Sequence, residues 1–264
     1  MPELPEVETL CRQLQEVVSG EIILSARILD SKLARLENLA GRTLAAPYRT
    51  GKGLNLPLGD GEALRLHLRM TGRLLWLPNQ SADQPPLELP HTRFVMTFSH
   101  GRLLLIDPRR FATLALTDDT PPPQAPFDPM EKFSPRLLWS SVRSKRLPIK
   151  SFLLDQRAVA GIGNIYACEI LHRAAINPWR PTSDLSPAEW QKLAKVAKAI
   201  LRKAIACRGT SVSDWRDLFG QQGEYQHHLQ VYGQAGEPCS HCGGTVTRLK
   251  LGGRGTFFCP RCQK

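Results

Sequence analysis

Asp118-Asp119-Thr120-Pro121-Pro122-Pro123-Gln124-Ala125-Pro126 divides the chain into two parts with different apolar periodicities. Its prolines remove ladder donors and fix φ, so the stretch cannot continue a sheet and reads as a stiff linker over 118–129. Before it, apolar runs at 22–29, 63–68, 74–77, 94–98 and 103–106 are separated by turn signals such as Gly59-Asp60-Gly61 and Ser99-His100-Gly101. Runs of that length read as strands, roughly eight in all. They are preceded by Val7, Leu10, Cys11, Leu14, Val17 and Val18 at helical spacing. Pro5 suits the first turn of that helix, and Glu6 and Glu8 stand where its dipole favours negative charge. One helix followed by many strands predicts a β-sandwich with a helix packed beside it, over residues 1–117.

Beyond the linker helical patterns take over. The clearest is 187–206, where Trp190, Leu193, Ala194, Ala197, Ile200, Leu201 and Ala204 form one apolar stripe that reads as core. The fold class is therefore α+β, with a helical domain at 130–225 and a cysteine-rich end at 226–264.

Charge follows the same division. Residues 1–128 carry 14 Lys or Arg against 15 Asp or Glu, a net of −1; residues 129–264 carry 21 against 9, a net of +12. The basic excess of the second half suits a polyanion, although a merely solubilising surface would look the same. No apolar run approaches the roughly 20 residues that span a bilayer. The acidic opening also lacks a signal-peptide layout, so a cytoplasmic protein with no membrane partner is expected. Nothing points to an oligomer, and a monomer is expected.

The seven cysteines include two close pairs, Cys239-x2-Cys242 and Cys259-x2-Cys262. Four thiolates at this spacing match one tetrahedral structural Zn2+ ion with no open coordination position, whereas a redox dithiol would need only one pair. Between the pairs, 247–258 alternates like a hairpin, with glycines around Arg254. That arginine suits either solvent or a phosphate. Gly161-Ile162-Gly163-Asn164 precedes a helix reaching to about Leu171, so Asn164 reads as a plain cap or as a phosphate donor. At the other end, removal of Met1 would leave Pro2 with a free secondary amine able to attack a carbonyl-level carbon, with Glu3 beside it as general acid or base. On these residues alone, prolines that merely set the start of a helix explain the pattern equally well.

Met1-Pro2-Glu3-Leu4-Pro5-Glu6-Val7-Glu8-Thr9, His67-Leu68-Arg69-Met70-Thr71-Gly72, Asp107-Pro108-Arg109-Arg110-Phe111 and Gly161–Ala167 occur in this order. With Gln230-Val231-Tyr232-Gly233 and the cysteine finger, they resemble the formamidopyrimidine-DNA glycosylase family over nearly the whole chain. The resemblance implies a helix–two-turn–helix in the helical domain and duplex DNA containing an oxidised base as partner, in a cleft between the halves. It implies base-excision repair of oxidised purines (8-oxoguanine and formamidopyrimidines first, oxidised pyrimidines second), with the target nucleotide turned out of the stack. By position, Pro2 is the nucleophile, Glu3 handles protons at the sugar, Lys52 assists β-elimination and Arg254 the second elimination. Met70, Arg109 and Phe111 fill the vacated space, and His91, Lys145, Lys150 and Asn164 contact the DNA backbone. Glu224-Tyr225-Gln226 falls in the region that closes over the base. Gly51 and Gly53 replace the family's bulkier neighbours of Lys52 and point to a looser strand there. The competing expectation is a catalytically silent DNA-binding protein that keeps the fold and the finger.

Overall fold

Leu4–Val18 forms helix α1 in the computed structural model, which describes residues 1–33, 36, 38–79, 89–120, 127–131, 133–142, 146–212 and 214–264. The helix starts where the proline signal placed it, with a proline in its first turn and a capping box between Glu3 and Glu6. Its apolar stripe, Leu4, Val7, Leu10, Cys11, Leu14 and Val18, is buried.

Among the described residues eight strands follow: β1 (Ser25–Ile28), β2 (Tyr48–Thr50), β3 (Gly53–Pro57), β4 (Glu62–His67), β5 (Arg73–Pro78), β6 (Thr92–Thr97), β7 (Gly101–Ile106) and β8 (Thr113–Asp118). They make two antiparallel four-stranded sheets, β1-β6-β7-β5 and β2-β3-β4-β8. Side chains from both sheets and from α1 share one apolar cluster that includes Leu10, Leu14, Leu54, Leu64, Phe98 and Leu105. On β7, Leu103 and Leu105 enter that cluster, while Leu104 and Ile106 point the other way into a smaller one with Val95. Burial of both faces explains the unbroken apolar run that marks this strand in the sequence.

After the proline run, of which 121–126 lie outside the described residues, come α2 (Pro135–Val142), α3 (Ile149–Leu154), α4 (Asn164–Ala174) and α5 (Pro187–Ala206). The stripe of α5 is buried, and Trp190 meets the Phe152 ring edge-on at 5.8 Å. A two-stranded hairpin, β9 (Thr247–Leu251) and β10 (Arg254–Phe258), completes the chain.

The chain divides into two units, 1–122 with 207–224, and 123–206 with 225–264. Residues 207–224, expected at the end of the helical domain, thus belong to the N-terminal unit. Trp215 and Leu218 are buried in its core, and the Leu218 carbonyl accepts the Trp76 N–H of β5 at 2.8 Å. The finger in turn shares a cluster with the helices: Cys168 of α4 packs with Val231, Val246, Cys239 and Cys259.

Candidate functional site

At the N-terminus Pro2 is half-buried and Glu3 is 3% exposed. The organising group there is Glu6. Its Oε2 accepts the Glu3 N–H at 2.8 Å, and its Oε1 accepts the Thr210 N–H, also at 2.8 Å. The residue before Thr210 is Gly209, at φ +84°, where a Cβ would stand 2.7 Å from Glu6 Oε1, so only glycine lets the loop approach this closely. One carboxylate therefore fixes the backbone beside Pro2 and joins it to the 207–224 segment. Sequence reasoning assigned Glu6 only to the helix dipole; its place on the buried side of α1 was the available signal.

Lys52 is 8% exposed, in the two-residue turn joining β2 to β3, where Thr50 pairs with Gly53. Arg49 donates from Nε to Glu8 Oε2 at 3.0 Å and from Nη1 to the Gly51 carbonyl at 2.9 Å, pinning the turn to α1. Nearby, burial first, then the charges of Arg69 and Lys52, push the His67 imidazole down to about 4.

Met70 is 55% exposed and Phe111 45%, on separate loops after β4 and β7. Core packing would have buried them. The Arg109 guanidinium lies 4.6 Å from the centroid of the Phe111 ring. A β-carbon at Gly72 would fall 2.5 Å from the Leu68 carbonyl oxygen, so the Met70 turn is closed tightly. His91 is exposed at φ +66°.

Behind these side chains lies Asp107, which the sequence marks only as the start of a motif. Its carboxylate accepts the N–H groups of Phe111 and Ala112, both at 2.7 Å, that of Arg109 at 3.2 Å, and the Thr71 hydroxyl. Arg93 Nη1 adds a third kind of donor at 3.3 Å, and Arg93 continues to Asp30 through Nε at 2.5 Å. Burial by itself would raise the Asp107 carboxyl, but the N–H of Ala112, the Thr71 hydroxyl and the other amides outweigh it and hold it below the ordinary value.

In the C-terminal unit, Lys150 is fully buried. Its Nζ donates to Thr256 Oγ1 at 2.7 Å and to the Gly255 carbonyl at 3.2 Å. Asn164, the first residue of α4, donates from Nδ2 to the same carbonyl at 3.0 Å. Two expected backbone-contact residues thus converge on the peptide next to Arg254, which is itself exposed at the start of β10. Lys145 lies outside the described residues.

The Sγ atoms of Cys239, Cys242, Cys259 and Cys262 lie within 4.8 Å of one another, with Cys239–Cys262 at 3.8 Å and Cys242–Cys259 at 3.5 Å. Tetrahedral zinc with bonds near 2.3 Å requires sulfur separations of about 3.8 Å, so the donor set fits one structural Zn2+. His172 of α4 brings Nε2 to 3.3 Å from Cys239 Sγ, and Glu169 accepts the N–H groups of Gln230, Val231 and Tyr232 at 2.9, 3.0 and 2.9 Å. These contacts tie the finger to the helix that begins with Asn164. Among the described residues no helix is long and apolar enough to cross a membrane.

Three family models match the chain: the formamidopyrimidine-DNA glycosylase N-terminal domain over residues 1–114, the H2TH domain of the same family over 124–215, and the zinc finger found in FPG and IleRS over 236–264. A formamidopyrimidine-DNA glycosylase of an Exiguobacterium species is 40% identical, with all of both chains covered; one of Desulforamulus reducens is also 40% identical, covering all of this chain and 99% of its own. Among solved structures, a Lactococcus lactis FPG variant in complex with Fapy-dG-containing DNA has a TM-score of 0.88 at 34% identity, with both chains covered in full. The wild-type Lactococcus lactis protein bound to DNA with an oxidised pyrimidine has a TM-score of 0.86 at 34% identity, again over both whole chains.

Proposed function

The chain belongs to the formamidopyrimidine-DNA glycosylase family, and on that premise we propose that it excises oxidised purines, 8-oxoguanine and formamidopyrimidines, from duplex DNA and then cleaves the strand. The observation that carries the reading is Pro2 standing at the start of α1, on backbone that Glu6 holds through the Glu3 N–H. With Met1 removed, the ring nitrogen attacks the anomeric carbon of the extruded nucleotide, the base departs with the glycosidic electron pair and takes up a proton, and the sugar C1′–O4′ bond then opens, its oxygen protonated, to leave the iminium. The resulting iminium is permanently charged and withdraws electrons from the sugar.

Glu3 moves protons at the sugar. Lys52 assists β-elimination of the 3′ phosphate, and Arg254 binds phosphate and promotes the second elimination, leaving a one-nucleotide gap flanked by phosphates. Met70, Arg109 and Phe111 occupy the vacated stack: two apolar wedges and a guanidinium able to hydrogen-bond the orphaned base. His91 and the basic C-terminal half hold the phosphate backbone. Lys150 and Asn164 serve the same end by fixing the Gly255 peptide beside Arg254. Structural zinc supplies folding energy to the finger and takes no part in the chemistry.

Oxidised pyrimidines are a second substrate class, favoured by the solved relative bound to such DNA. A panel of duplexes, each with one defined lesion, tests the reading. Excision with both elimination products on 8-oxoguanine and formamidopyrimidine duplexes is expected. DNA binding without cleavage on every lesion would instead identify a silent binding protein.

A further inference from the structure

Three segments distant in sequence, 69–72, 91–93 and 107–112, carry Met70, His91, Arg109 and Phe111, and all three are bonded to one residue. The Asp107 N–H donates to the His91 carbonyl at 3.0 Å. Its carboxylate takes the Thr71 hydroxyl from the Met70 turn, and the N–H groups of Arg109, Phe111 and Ala112 from its own loop. Arg93 Nη1 reaches the same carboxylate and also donates to the Ala112 carbonyl at 2.8 Å. The Asp107 and Arg93 side chains are buried, so these contacts are made away from solvent.

We propose that Asp107 is a positioning residue for recognition of the base opposite the lesion, joining the Met70 turn and the Arg109–Phe111 loop into one preformed wedge. The inference rests on the excision reading above and adds to it the part that fixes how the exposed side chains stand. A wedge discriminates only if its members enter the stack at a fixed spacing, because a bidentate or stacked contact is lost over shifts of about an ångström. Met70 and Phe111 are exposed at the surface, and Arg110, next to Arg109, has φ +57°. The Thr71 hydroxyl bond to Asp107 adds a buried polar link between the two loops where Arg73 and Ile106 already pair at their roots. A carboxylate is suited to this because it accepts several donors at once, whereas an amide in its place would turn an N–H2 toward donors that need an acceptor.

The test compares wild type, Asp107→Asn and Thr71→Val. Each is measured on lesion duplexes with cytosine or adenine opposite, and on a single-stranded oligonucleotide containing an abasic site. The single strand has no stack to fill and no opposite base, so cleavage there does not need the wedge. For Asp107→Asn, kcat/KM on the duplex should fall on the order of tenfold, the rate equivalent of one charge-assisted hydrogen bond. The ratio between cytosine and adenine should move toward one, and single-strand cleavage should stay within about twofold. Thr71→Val, which removes only the Met70 link, should move the ratio in the same direction by less. If Asp107→Asn does not fold, Thr71→Val decides alone. Duplex and single-strand activities that fall together with an unchanged base ratio would reduce Asp107 to a structural residue and overturn the inference. A wild type inactive on every substrate would overturn the excision reading and this inference together; an active wild type with unaltered ratios in both variants would overturn this inference alone.

Discussion

In the N-terminal unit, Glu6 joins the N–H groups of Glu3 and Thr210, and Asp107 joins the N–H groups of its own loop to the Thr71 hydroxyl; the candidate nucleophile and wedge stand on those segments. In the C-terminal unit, the Arg254 hairpin is held by four thiolates, by Lys150 from beneath, and by α4 through Asn164 and Glu169. The first arrangement is a set of hydrogen bonds to buried charge, each replaceable at a graded cost. The second hinges on a metal whose binding energy is itself folding energy. The difference predicts that the two units fail in different ways.

The largest effect belongs to the finger. Cys242→Ser, or chelation, should unfold 236–264, since structural zinc in isolated fingers contributes on the order of 10 kcal/mol at neutral pH. Limited proteolysis should then cut the finger while α1 and the strands β1–β8 stay protected, and DNA affinity should drop. Unchanged binding after verified zinc loss would break the comparison at its root.

Glu6→Gln tests the graded side. One carboxylate oxygen becomes an N–H2 facing either the Glu3 or the Thr210 N–H, at a cost of about 1–3 kcal/mol. Urea unfolding should show that loss, and adduct formation should suffer more than DNA binding, because the displaced backbone is the one beside Pro2. A variant weakened equally in both would show that Glu6 acts only through stability.

The smallest effect is the pH dependence that His67 gives the N-terminal unit. His67 is held below its ordinary 6.5, at about 4, first by burial and then by Arg69 and Lys52. Between those values the unfolded chain binds a proton that the folded chain refuses, so stability is present above about pH 6.5 and is lost as pH falls toward 4. His67→Gln should flatten denaturant midpoints across that window. An unchanged slope would remove His67 from the account of acid sensitivity.

How much of this was legible in the sequence depends on whether a residue's role is local. The cysteine pairs announce their geometry by spacing, and the apolar stripe of α5 repeats with the helical period, so both were readable. The run 103–106 was readable as a strand because burial on both faces leaves it apolar throughout. β2 and β3 were not, since Tyr48–Thr50 and Gly53–Pro57 are short, with glycine and proline at the ends. The return of 207–224 to the N-terminal unit rests on Trp215 and Leu218, two anchors without periodicity. Lys150 in a basic half looks like a surface cation; only the fold shows it buried under Thr256. Asp107 and Glu6 escaped for the same reason, because a carboxylate that organises distant loops has no partner at fixed sequence separation.

Borohydride added during turnover on an 8-oxoguanine duplex most directly examines the role given to the chain's first ring nitrogen. Protein lacking Met1 should yield a covalent DNA adduct whose linked peptide begins at Pro2, and Pro2→Gly should lose most of it. An undiminished adduct in that variant, or none from wild type with the amine exposed, would contradict the covalent assignment.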